Sequence, residues 1–183
     1  MALFGLLGRR HERAGFMLYT AAVGAARDPV FYERLGVPDT LDGRFDLVGL
    51  HAFLLIRRLR ATPPPGAAVA QAVFDAMFSD MDINLRELGV GDMAVSKRVK
   101  AMWEAFHGRA TAYDAPLAAG DLAALEAAIV RNVFREAPHP GATDIARVAF
   151  GQAAHLDHQT AADLVAGRVN FLSPKALLTA RAA

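Results

Sequence analysis

Apolar residues recur at three- and four-residue spacing along most of the chain, as at Val95, Val99, Met102 and Phe106, and no convincing run alternates apolar with polar. That period gathers the apolar side chains on one side of a helix, whereas a half-buried strand needs a period of two. The expected fold is therefore all-α: a single compact helical domain of about six to eight helices. With 183 residues the chain can bury one core without covalent staples, and it has no cysteine to make any.

Prolines and glycines divide the pattern. Phe16, Tyr19, Val23 and Ala26 form a helical stripe that stops at Arg27-Asp28-Pro29, and a short helix is expected from Val30 to Leu35. After the turn-rich Gly36 to Gly43, Asp42 is placed to cap a helix that runs to about Arg60, with Arg57, Arg58 and Arg60 suiting its negative end. Pro63 to Pro65 separate it from a helix over Ala67 to Phe78, and Ile83 to Leu88 add a further turn before Gly89-Val90-Gly91. Asp92 then opens a long helix, followed by helices near Asp121 to Phe134 and Thr143 to Gly167 and a short one after Pro174. Residues 1–13 are read as an apolar and basic segment, 14–170 as the helical domain and 171–183 as a tail.

Many chemistries are absent. Twenty Lys+Arg against nineteen Asp+Glu give a net charge of +1, so no global field favours nucleic acid. There is no glycine-rich phosphate loop, no GxSxG elbow and no HExxH, and Ser79, Ser96 and Ser173 lack a neighbouring base. The longest uncharged stretch, Ala61 to Phe74, is too short for a bilayer and is broken by proline. The N-terminal arginines follow the apolar run, the reverse of a secretory signal, so the chain is expected to stay in the cytoplasm, where a peripheral position at a membrane is open to it. There Leu3, Phe4, Leu6 and Leu7 could enter the lipid interface while Arg9, Arg10 and Arg13 meet anionic headgroups, or the same apolar residues could dock on the protein's own helices.

Three clusters could carry chemistry. His155 and His158 are spaced to share a metal but lack further ligands, so polar helix-face histidines are the plainer reading. Asp80, Asp82 and Asn84 resemble the opening of a calcium loop, yet Leu85 and Gly91 stand where glycine and glutamate belong. His51 falls among Leu47, Val48, Leu54 and Leu55, which suits a core histidine with one hydrogen bond or, failing that, a contact in a binding groove. Lys97, Arg98 and Lys100 form a basic cluster, read as a solvated face. No metal and no cofactor are expected.

The segments Tyr32 to His51 (YERLGVPDTLDGRFDLVGLH), Phe78 to Asp92 (FSDMDINLRELGVGD) and Lys97 to Lys100 (KRVK) resemble the core of the ubiquinol–cytochrome c chaperone family over roughly residues 12–135. The resemblance implies a helical, non-enzymatic factor that accompanies cytochrome b, or another bc1 subunit, during assembly of the bc1 complex. It also implies a functional surface at Asp39, Asp42, Arg44, His51, Asp80, Asp82, Arg86, Glu87, Asp92, Lys97 and Lys100. A different expectation is a lipid- or isoprenoid-binding protein or enzyme whose acidic cluster holds a divalent ion.

Overall fold

The structure, a computed structural model, describes the backbone of residues 2–179 and the side chains of residues 9–179. Six long helices are α1 (Ala2–Ala26), α3 (Leu41–Arg60), α4 (Gly66–Glu87), α5 (Asp92–Ala119), α6 (Leu122–Val133) and α7 (Gly141–Asp157). Three short ones, α2 (Pro29–Glu33), α8 (Ala161–Val165) and α9 (Pro174–Thr179), complete an all-α fold with no strand among the described residues. One helix runs through residue 13, so the N-terminal segment continues directly into the domain.

The centre of the fold is α3. Every residue from Phe45 to Ile56 is buried, and the helix touches α1, α4, α5, α6, α7 and α8. A helix apolar on all sides has to be enclosed in this way. Its start is capped by Thr40, whose hydroxyl accepts from the Gly43 N–H at 3.2 Å, while Asp42 stands exposed in the first turn. The hydroxyl is placed one turn below an amide that has no helical partner, so Thr40 takes the capping role that the sequence suggested for Asp42.

On α4, Val69, Val73, Met77, Met81 and Leu85 are buried at four-residue spacing. That stripe carries the helix through Asp80-Met81-Asp82 without a break, joining two pieces that the sequence pattern divided. The positive-φ Gly89 then ends it. Gly91, rather than Asp92, is the residue before α5, and Asp92 lies in the first helical turn. The expected helix over 143–167 is two helices: Thr160 accepts from the Asp163 N–H at 3.1 Å and starts α8 afresh.

On α1 the buried residues are Ala14, Gly15, Leu18, Tyr19, Ala22 and Ala26, whereas Phe16, expected in the core, is 63% exposed. Small residues let α1 approach α4 closely: a Cβ at Gly15 would lie 2.5 Å from the Ala72 carbonyl carbon. The helix thus turns its alanine face inward and leaves its one nearby phenylalanine outside. At the other end of the chain α9 packs on α7, and Phe171 reaches the core edge-on to His51.

Candidate functional site

The α4–α5 turn gathers much of the charge singled out in the sequence. Arg86 donates from Nε to Asp82 at 2.6 Å and from Nη1 across the turn to Asp92, so three expected site residues form one ion-pair network. All three keep substantial solvent access, and surface pairs of this kind add little stability by themselves. Asp80 faces the other way: its carboxylate accepts from the Tyr19 hydroxyl at 2.6 Å and ties α4 to α1. Glu87 and Lys97 are exposed, and Lys100 lies 3.9 Å from Glu104.

Apolar side chains surround that network. Ile83 is half exposed, Leu88 is 65% exposed and Met93 is 92% exposed. In the first half of α5 Val95 is buried and Val99, Met102 and Ala105 are half-buried, so one face of this stretch, the arm, packs on the body while the rest is open to solvent. An apolar surface set among fixed charges fits recognition better than it fits solvation alone.

Asp39 and Arg44 pair with each other at 2.6 Å beyond the start of α3, on a different part of the surface. Each stabilises the other's charged form: the Asp39 carboxyl is held below, and the Arg44 guanidinium above, its ordinary range. Asp42 lies nearby, lining a separate cavity with Phe45 and Arg109.

His51 is the one expected surface residue that the structure removes from any surface. It is 1% exposed, with Nδ1 2.8 Å from the Leu47 carbonyl oxygen and its ring between Phe31 and Phe171. Desolvation pushes its pKa down to about 4, so the ring is neutral at pH 7 and its Nδ1–H donates to Leu47. Its role is that of a core histidine, because α3 is enclosed on every side. His155 and His158 bracket the end of α7, and among the described residues no group of three or more potential ligands converges as a metal site.

A groove between α3, α4 and α5 extends the arm surface toward the body. Phe53, Ile56, Phe74, Phe106 and Ala110 line a cavity of about 470 Å³. The aromatic rings interlock: Phe74 lies 4.7 Å from Phe78 and 5.7 Å from Phe106, and His107 lies 4.1 Å from the half-exposed Trp103. The rim is charged, with Arg57 donating to Asp114 at 2.9 Å and Arg60 exposed beside it. An apolar floor with polar groups at its edge binds an apolar partner by burial and orients it by charge.

The helical period marked Phe106 as part of an apolar face, and Arg57 and Arg60 stood only as a suitable helix end. Nothing in a helical period separates a groove wall from a core wall. The single tryptophan, Trp103, was the signal available.

Residues 33–171 match the ubiquinol–cytochrome c chaperone family. The chain belongs to this family. Ubiquinol-cytochrome-c reductase complex assembly factor 1 of Xenopus laevis is 24% identical over 123 residues, 67% of this chain and 61% of that protein. Protein CBP3, mitochondrial, of Saccharomyces cerevisiae is 27% identical over 150 residues, 79% of this chain and 44% of that protein. This member of the chaperone family thus spans less than two thirds of either curated relative. Among solved structures, the crystal structure of the Cbp3 homolog from Brucella abortus matches with a TM-score of 0.84 at 35% identity, covering 95% of this chain and 97% of that one. The likeness therefore extends over nearly the whole of both chains.

Proposed function

We propose that this chain is a non-enzymatic assembly chaperone for the cytochrome bc1 complex and that it engages cytochrome b, or another bc1 subunit, at the membrane surface. The reductase assembly factor of Xenopus laevis supports the assembly role. The observation that carries the binding role is the aromatic groove continuing into the exposed arm, with its charged rim. An unassembled membrane subunit exposes apolar surface that such a groove would cover, while Asp82, Arg86, Asp92, Lys97 and Lys100 set its orientation.

No helix among the described residues is long and apolar enough to cross a membrane. A peripheral position finds support on α1, where Phe16 and Met17 are exposed beside Arg13. The side chains of Leu3, Phe4, Leu6 and Leu7 lie outside the described residues. A lipid or isoprenoid enzyme built on the acidic cluster has less support, because Asp80 is engaged by Tyr19 and both Asp82 oxygens by Arg86.

A deletion strain tests the function. Assembled bc1 complex should fall while cytochrome b transcript is unchanged, and normal bc1 abundance would overturn the reading. Pulldown from detergent-solubilised membranes should enrich cytochrome b with the wild-type chain and lose it with Trp103→Asp.

A further inference from the structure

The aromatic groove continues along one stripe of α5. Asp92, Ser96, Trp103, His107 and Asp114 follow each other at intervals of four or seven residues, which places them on one face of the helix. Between its two aspartates that stripe carries no formal charge. Lys97, Arg98, Glu104 and Arg109 belong to other faces, and Lys100 lies at its edge, 3.9 Å from Glu104. The aspartates are 22 residues apart, about 33 Å at the helical rise of about 1.5 Å per residue.

The facing walls follow the same order. On α4, Phe74, Phe78, Asp82 and Arg86 recur every four residues, so the rings lead directly into the charged turn. Phe74 bridges the two helices, 4.7 Å from Phe78 and 5.6 Å from His107. On α3, Phe53 and Ile56 line the groove and Arg57 and Arg60 close its other end, where Arg57 donates to Asp114 at 2.9 Å. The two ends are opposite in sign. Asp82 and Asp92 against Arg86 leave one negative charge at the turn, and Arg57 and Arg60 against Asp114 leave one positive charge at the far end.

An apolar surface of this length matches a helix that spans a bilayer, which needs about 20 apolar residues to cross a core of about 30 Å. Such a helix satisfies its own backbone hydrogen bonds, so an apolar groove can hold it without supplying any. A lipid has one headgroup and would leave the second charged end unmatched. The signs also fix a direction, because a helix is partly positive at its N-terminus and partly negative at its C-terminus. We propose that the groove holds one transmembrane helix of an unassembled subunit lengthwise and parallel to α5, with its N-terminal flank at Asp82 and Asp92 and its C-terminal flank at Arg57 and Arg60. This occupant rests on the chaperone reading and adds to it the element held, its length and its direction. Basic residues suit the N-terminal flank of that helix and acidic residues its C-terminal flank.

The test is a titration of the full chain, in zwitterionic detergent micelles, with two blocked peptides of identical composition that lack tryptophan. One has two lysines before a core of about 20 leucines and alanines and two glutamates after it, and the other has the same core with the flanks exchanged. Trp103, the only tryptophan, reports burial as a blue shift of its emission. The peptide with lysines first should bind saturably and about tenfold more tightly than its reverse. Halving its core should weaken binding about tenfold, because the shorter helix reaches one charged end only. Asp92→Arg and Arg60→Glu together exchange the charges of the two ends and should reverse the preference between the peptides, an outcome that an unfolded chain does not give. Equal binding of the two directions, equal binding of the halved core, no shift of Trp103 emission, or an unreversed preference in the double variant would overturn the proposal. Cytochrome b capture and bc1 abundance are measured without these peptides, so the chaperone reading stands or falls separately.

Discussion

The hydroxyl of Tyr19 on α1 donates to the carboxylate of Asp80 on α4 at 2.6 Å, joining residues 61 positions apart. Desolvation, followed by the bond to Asp80, pushes the Tyr19 pKa far above its ordinary value, so the phenol stays protonated and keeps donating. Asp80 is therefore part of the scaffold that ties α4 to α1.

Tyr19→Phe removes that bond and keeps the ring in place. Stability should fall by about 1.5–3 kcal/mol, the range for a hydrogen bond to a charged group, and toward the lower end because Asp80 is only partly buried. Urea unfolding monitored by circular dichroism measures it, and an unchanged midpoint would show that the bond contributes nothing.

Two glycines of α1 should respond oppositely to alanine. At Gly15 the new Cβ meets Ala72 at 2.5–2.8 Å, so overpacking of about 1–3 kcal/mol should outweigh the gain in helix propensity. At Gly24 nothing lies within 4 Å, and Gly24→Ala should stabilise by up to about 1 kcal/mol. Denaturation curves for the two variants should shift in opposite directions.

Acid should weaken the fold through His51. Its folded pKa, about 4, is depressed below the ordinary 6.5, so the unfolded chain binds the proton more tightly. The contribution is present above pH 6.5 and is lost as pH falls toward 4, by roughly 3 kcal/mol for a shift of this size. Unfolding free energies at pH 7 and pH 4.5 should differ accordingly, and the His51 ring resonance should not titrate near pH 6.5 in the folded chain.

Arg86→Ala breaks the bridge from Asp82 to Asp92 on an exposed turn. Capture of the bc1 subunit should weaken, with a folded spectrum and a thermal midpoint close to wild type. A variant that unfolds would make the network structural and withdraw it from recognition.

Membrane contact makes its own demand. The full chain should float with anionic vesicles at low salt and less so at high salt, because basic residues near such a surface are attracted by a screened potential. A chain lacking residues 1–13 should stay behind; equal flotation of both would remove the segment from that role.

Helix type and most helix limits follow from local physics, and local physics is written in consecutive residues. The three- and four-residue spacing, the prolines after Arg60 and the glycines flanking Val90 announce α3, α4 and α5 without any knowledge of their neighbours. The residues of the α4–α5 turn could likewise be grouped in advance, since Arg86, Asp82 and Asp92 lie within one turn and one loop of each other. Which side of each helix meets another is instead settled by packing between distant segments. Phe16 faces water because alanines and Gly15 let α1 press closer to α4. His51 is enclosed because six helices surround α3. Asp46 looks like any polar residue of an early helical turn until Arg109, 63 positions on, and Arg135 reach it through the interior. A helical period records that a face is apolar, but burial depends on distance in space, and chain closure brings those partners together from positions that no local pattern connects.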